Sequence, residues 1–204
     1  MSASATATAA HAAAHTETPQ ENYRRRSTNN RLGLWLFIAS DAFVFAGLFI
    51  ARFYLYGVQY RPEVDQTVGL IVTAVLGLSS FFANRGEVAM QYGDTKAYFR
   101  NTLITIILGI VFLVGVVGVE WQIAPHGPGE DALWSLFYTM TGFHAFHVLT
   151  GVIFLALVYR NARKGLYNEE RHFPVEAAAV YWHFVDVVWI FFYPALYLIG
   201  QPPL

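Results

Sequence analysis

Five ionisable side chains lie inside long apolar runs of this 204-residue sequence. They are Asp41, His144, His147, His183 and Asp186. Moving such a residue into hydrocarbon costs at least about 2.5 to 3.5 kcal/mol, so each one needs either a bonding partner or a function. Carboxylates and imidazoles placed in this way can hydrogen-bond one another, relay protons or ligate a metal.

The spacing of these residues predicts shared helix faces. His144 and His147 are three residues apart, as are His183 and Asp186, and side chains at this spacing are neighbours on a helix. Glu176 precedes His183 by two helical turns on the same face. From a rise of about 1.5 Å per residue, we expect all five residues in one layer, in or near the cytoplasmic half of a helix bundle. With two acids near helix ends, the intramembrane polar candidates are Asp41, Glu120, His144, His147, Glu176, His183 and Asp186.

Three hypotheses explain this layer. The groups could hydrogen-bond each other across helices and fix packing, with no chemistry. Imidazoles such as His147 and His183 could instead ligate a b-type haem between two helices. Alternatively, Asp41, His183 and Asp186 could relay protons, either in an independent proton-coupled transporter or beside a neighbouring pump. Spacing does not separate the first hypothesis from the third.

The elements that position these residues are transmembrane helices. The chain is 55% hydrophobic and 13% charged, whereas soluble domains carry about 25% charged residues. Since the sequence has no cysteine, disulfides and thiolate ligands are excluded. Runs long enough to cross a bilayer predict an all-α integral membrane bundle of five helices. The predicted spans are about 32–56, 67–83, 102–119, 133–159 and 175–199.

The charges predict the orientation of the bundle. Arg52 and Arg61, placed in the first loop, stand on one side of the membrane. The other 11 of the 13 basic residues precede the first span or follow the second and fourth. By the positive-inside rule, the N-terminus is cytoplasmic and the C-terminus lies outside. Residues 1–30, with His11 and His15, are predicted to be a disordered cytoplasmic tail before a membrane domain at 31–204.

Two long strings resemble a known family. Residues 141–151, TGFHAFHVLTG, resemble the TGFHGxHV signature of subunit III of the haem-copper oxidases. Residues 172–193, HFPVEAAAVYWHFVDVVWIFFY, are similar to the closing segment of that family. The first-helix string WLFIASDAFVFAGLF resembles its W-FI-SE stretch, with Asp41 where the family commonly has Glu, and Glu120-Trp121 matches its acidic-aromatic pair. The resemblance covers about residues 32 to 200 and implies the five-helix bacterial type.

What the resemblance implies is a non-catalytic subunit of a cytochrome c oxidase. Such a subunit supports assembly, lipid binding, proton uptake and turnover stability of subunit I in a bacterial plasma membrane. It holds no redox centre; haem and copper are expected in partner subunits, with bound phospholipid and no nucleic acid. The polar layer then serves as packing and electrostatic environment. The string Glu176–Ala179 favours cytochrome c over quinol as electron donor, and a quinol oxidase is the alternative.

The third helix is rich in small residues, which permit close helix packing in membranes. We therefore expect Gly109, Gly115 and Gly118 to lie on the flank that contacts the partner subunit.

Overall fold

The computed structural model describes residues 19–202, which contain five helices that are long and apolar enough to cross a membrane. The helices are α1 (Pro19–Tyr56), α2 (Gln66–Gln91), α3 (Thr95–Leu113), α4 (Ala132–Arg163) and α5 (Phe173–Tyr193). Helix α3 continues through the π-helical segment Val114–Glu120 and the short helix Trp121–Ile123, and α5 continues through the π-helical segment Pro194–Leu198. The predicted all-α, five-span fold is confirmed, whereas the orientation of the termini stays a prediction.

The contacts divide the described residues into two compact units, with the boundary between Phe37 and Ile38. In the first unit, the structure describes a helix from Pro19 onward, so residues 19–30 are helical where the sequence predicted a disordered tail. Proline is favoured in the first turn of a helix because its missing N–H would be unpaired there in any case. The rest of the predicted tail, with His11 and His15, lies outside the described residues.

The helix ends extend beyond the apolar runs. Helix α2 ends at Gln91 rather than near residue 83, and α3 begins at Thr95 rather than near residue 102. Hydropathy detects only the part of a helix that suits lipid, whereas capping determines where the helix begins. The Asp94 side chain accepts a hydrogen bond of 2.9 Å from a backbone N–H in the first turn of α3, and Asp65 and Asp131 cap α2 and α4 in the same way.

The core is centred on Trp182 of α5, whose side chain is 1% exposed. Its indole Nε1 donates a 3.0 Å hydrogen bond to the Ser79 hydroxyl of α2. A Cβ atom added at Gly109 of α3 would lie 2.5 Å from the Trp182 ring, and one added at Gly151 of α4 would lie 3.0 Å from it. The indole therefore fills space that the two glycines leave open, and it joins α2, α3, α4 and α5.

The glycines of α3 and its extension were expected to lie on the flank that contacts the partner subunit. Gly109 faces Trp182 inside the bundle, and a Cβ at Gly115 would meet the Val72 side chain of α2. The prediction that these two glycines line the flank of a partner subunit is wrong, because their space is used within the chain. At Gly118 the nearest atom to an added Cβ is a side-chain carbon of Val114 in the same segment, at 3.5 Å.

Helix α1 contacts the rest of the second unit through one stripe of residues. The stripe consists of Ile38, Asp41, Phe45, Leu48 and Arg52, spaced by three or four residues, which places them on one face. Phe45 is almost fully buried, and its ring makes edge contacts with Phe143 of α4 at 5.2 Å and Phe192 of α5 at 5.6 Å. The stripe thus presents a carboxyl, an aromatic ring and a guanidinium in turn to α4 and α5.

Candidate functional site

The Asp41 side chain of α1 and the His147 side chain of α4 contact each other inside the bundle. The distance from His147 Nε2 to Asp41 Oδ2 is 3.4 Å, and the two side chains are 8% and 19% exposed. His147 Nδ1 lies 2.8 Å from the carbonyl oxygen of Phe143. Because a carbonyl oxygen can only accept, Nδ1 is the donor and carries a proton.

Aromatic rings and hydroxyls fix this pair. The His147 ring lies 4.8 Å from the Phe45 ring and 4.7 Å from the Phe143 ring. The Thr150 hydroxyl donates to the His147 carbonyl oxygen at 2.9 Å and is hydrogen-bonded to the Tyr181 hydroxyl at 2.8 Å. Tyr181 belongs to α5, so α1, α4 and α5 all meet around this pair.

His144 has surroundings different from those of His147, although the two lie three residues apart. Its ring is fully buried and lies 4.7 Å from Trp189 of α5 and 5.6 Å from Phe112 of α3. Neither ring nitrogen has a hydrogen-bond partner among residues 19–202. The two histidines therefore turn to different helices, and the predicted layer is not a single bonded network in the described part of the chain.

The α2–α5 boundary holds the second pair of predicted residues. The Ser80 hydroxyl of α2 is 3.2 Å from His183 Nδ1, and Ser80 also lies beside Asp186. The Ser80 hydroxyl thus lies next to both His183 and Asp186, which sequence spacing placed on a common helix face. Glu176 lies in the first turn of α5, where the helix dipole favours a carboxylate, close to Glu87 of α2. Sequence reasoning missed Ser80, although it stands in the predicted second span.

Arg52 is a second residue that the sequence analysis misplaced. It lies in α1 rather than in the following loop, and it is fully buried. Its Nε donates to the Ala195 carbonyl at 3.1 Å and its Nη1 to the Gly57 carbonyl at 3.1 Å. Its Nη2 donates to the carbonyls of Tyr60 and Ile199. The guanidinium therefore caps the ends of α1 and α5 together, where a cation is favoured by both helix dipoles.

The signal for Arg52 was present in the sequence, because residue 52 falls inside the predicted span 32–56. An ionisable residue in a span is a candidate site residue by the same reasoning that singled out Asp41. Its partners were not readable, since backbone carbonyls carry no residue-type signature.

An apolar groove of about 500 Å³ lies between α1 and α5. It runs beside the stripe residue Phe45 and contains no charged side chain among its lining residues. Its walls include Ala42, Ala46, Phe49, Phe184, Val187 and Phe191.

The two histidines of the haem hypothesis lie against different helices, His147 against α1 and His183 against α2. In the described part of the chain, no three His, Asp or Glu side chains converge as a metal-binding group.

Comparison with known proteins matches residues 12–201 to the family model described as cytochrome c oxidase subunit III. The cytochrome c oxidase subunit 3 of Thermostichus vulcanus is 38% identical over 176 residues, which are 83% of this chain and 87% of the relative. The protein of that name from a Synechocystis strain is 34% identical over 174 residues, covering 82% and 74% of the two chains. The one from Gadus morhua is 36% identical over 184 residues, covering 84% and 70%.

Replacement of Arg52 by Met should destabilise the protein by at least about 2 kcal/mol, because it leaves buried carbonyl groups without their charged donor. We expect a lower midpoint of thermal unfolding in detergent and faster proteolysis of the C-terminal segment. Arg61→Met is the matched control, since Arg61 is half-buried and donates to the carbonyls of Gly200 and Pro62. Equal midpoints for the two variants would contradict the role of Arg52.

Proposed function

Because the chain belongs to the cytochrome c oxidase subunit III family, we propose that it supports the assembly, proton uptake and sustained turnover of catalytic subunit I. The membership confirms the family predicted from residues 141–151 and 172–193. The chain is thus a non-catalytic, multi-pass membrane subunit of a haem-copper oxidase complex. We place the complex in a bacterial plasma membrane, in keeping with the cyanobacterial relatives.

The observation that supports this proposal is that three intramembrane polar groups contact partners within the chain. Asp41 contacts His147, and the Ser80 hydroxyl is within hydrogen-bond distance of His183. Arg52 donates to backbone carbonyls at the ends of two helices. Groups engaged in this way fix the positions of helices against one another, which is what a supporting subunit must present to its catalytic neighbour. Haem and copper belong, in this proposal, to the partner subunits.

The electron donor of the complex is proposed to be cytochrome c. The string Glu176–Ala179 resembles the cytochrome c branch of the family, and the relatives carry the name of that oxidase. Asp41 stands where the family commonly has Glu, as also happens in the quinol-oxidising branch, so quinol is the alternative donor.

The variants Asp41→Ala and His183→Phe should leave the haem spectrum of the purified complex unchanged and reduce either its yield or the number of turnovers before inactivation. The reason is that each change removes one internal contact without touching a redox centre. The measurements are co-purification in mild detergent, an optical spectrum and sustained oxidation of reduced cytochrome c.

Glu63→Ala is the control for loss of an acid, because Glu63 is exposed. A spectral change comparable to the loss of an axial ligand would overturn the supporting role. A chain that is stable and transports ions alone in proteoliposomes would favour the transporter. If the purified complex oxidises quinol and not cytochrome c, the chain belongs to the quinol-oxidising branch of the family.

We also assign the groove between α1 and α5 to an acyl chain of a phospholipid, because the groove is apolar and lies within the spanning part of both helices. Ala46→Trp should fill the groove and lower the number of phospholipids that native mass spectrometry detects on the complex. Ala39→Trp adds the same bulk on the exposed surface of α1, outside the groove, and should leave lipid binding as it is. The assignment fails if the two variants retain equal amounts of lipid.

A further inference from the structure

The two π-helical segments of the described chain each carry one buried polar side chain. Glu120 is the last residue of Val114–Glu120 and is 1% exposed, and Tyr197 lies in Pro194–Leu198 and is 0% exposed. A π-helical turn inserts an extra residue, is rare and is frequently found at functional sites. Two such turns that each present a polar group point to a site between them.

Glu120 and Tyr197 are neighbours inside the bundle, and their polar atoms are buried. The Tyr197 hydroxyl and the Glu120 carboxyl interact electrostatically within the bundle. Both carboxyl oxygens and the hydroxyl are enclosed, yet none of the three makes a hydrogen bond of good geometry to a residue in the range 19–202. Buried polar groups are nearly always bonded, so these three atoms require an explanation.

The position of Tyr197 is determined by close packing. A Cβ atom added at Gly69 of α2 would lie 2.6 Å from two carbons of the Tyr197 ring. The ring stacks on Tyr193 with centroids 5.1 Å apart, and the Tyr197 carbonyl accepts a 3.1 Å hydrogen bond from Gln66. Because the ring cannot turn away, its hydroxyl stays near the Glu120 carboxyl.

The charges around Glu120 favour the binding of a positive species. The described groups that act on it or feel its charge are Tyr197, the acid Asp65 at the start of α2, and Tyr138 of α4. Arg52, at the same end of α5, directs its guanidinium at backbone carbonyls. An ionised carboxylate enclosed in this way would have its charge uncompensated, which is strongly unfavourable in a low-dielectric interior. A proton is the smallest cation that removes this charge.

We propose that Glu120 and Tyr197 form a proton-binding site between the ends of α3 and α5. The proton resides on one carboxyl oxygen of Glu120, and a rotation of this carboxyl lets its O–H donate a hydrogen bond to the Tyr197 hydroxyl oxygen. No covalent bond other than the O–H bond forms or breaks. The site is a property of the chain itself and involves neither Asp41 nor His147.

Infrared spectroscopy of the purified complex tests the site. The wild type should show the C=O stretching band of a protonated carboxylic acid, and Glu120→Gln, which preserves the side-chain shape, should lose it. Tyr197→Phe should retain this band and shift it to higher frequency, because the hydrogen bond to the acid is removed. Glu130→Gln is the control, since Glu130 is exposed and should contribute to the ionised carboxylate bands instead.

The proposal is overturned if Glu120→Gln removes ionised carboxylate absorption, if it leaves the acid band intact, or if Tyr197→Phe leaves the band unshifted. If the complex with Glu120→Gln fails to assemble, infrared spectra of the wild-type complex are recorded with and without carbon-13 labelling of glutamate. An acid band that does not move on labelling would then exclude a protonated glutamate.

Discussion

A polar side chain in hydrocarbon must find its hydrogen-bond partners within protein, because lipid offers none. This constraint explains where three ionisable residues of the bundle lie. Asp41 faces an imidazole, His183 faces a hydroxyl, and Arg52 faces backbone carbonyls at two helix ends. Each contact joins two helices, so the requirement to satisfy a polar group also determines which helices are neighbours.

The attachment of α1 illustrates the constraint. Most of its spanning surface is exposed in the isolated chain, and its buried positions form the single stripe from Ile38 to Arg52. Phe45 supplies the aromatic contacts in the middle of the stripe, and the polar groups act on either side of it. Apolar side chains alone gain little by leaving lipid for a protein surface. The polar contacts and the close aromatic packing therefore set the position of α1.

The sequence was sufficient for the fold class, since runs of apolar residues report directly on lipid contact, and for the family, since two long strings carried it. It also identified Asp41 and His147 as polar residues inside predicted spans that need a partner. It did not show that His144 and His147 turn to different helices, because helix spacing does not say which neighbour stands opposite. It missed Ser80 and the carbonyl partners of Arg52, because neither has a distinctive pattern. It placed Gly109 on an outer flank, since a small residue that admits a partner helix and one that admits Trp182 look alike in sequence.

The central claim is that the Asp41 carboxyl of α1 and Nε2 of His147 in α4 contact each other within the bundle. Nitrogen-15 solid-state nuclear magnetic resonance of the complex with labelled histidine, assigned with His147→Phe, tests it most directly. The account predicts that Nδ1 of His147 carries a proton and that Asp41→Ala changes the resonance of Nε2. An Nδ1 without a proton, or an Nε2 resonance unaffected by the loss of Asp41, would contradict it.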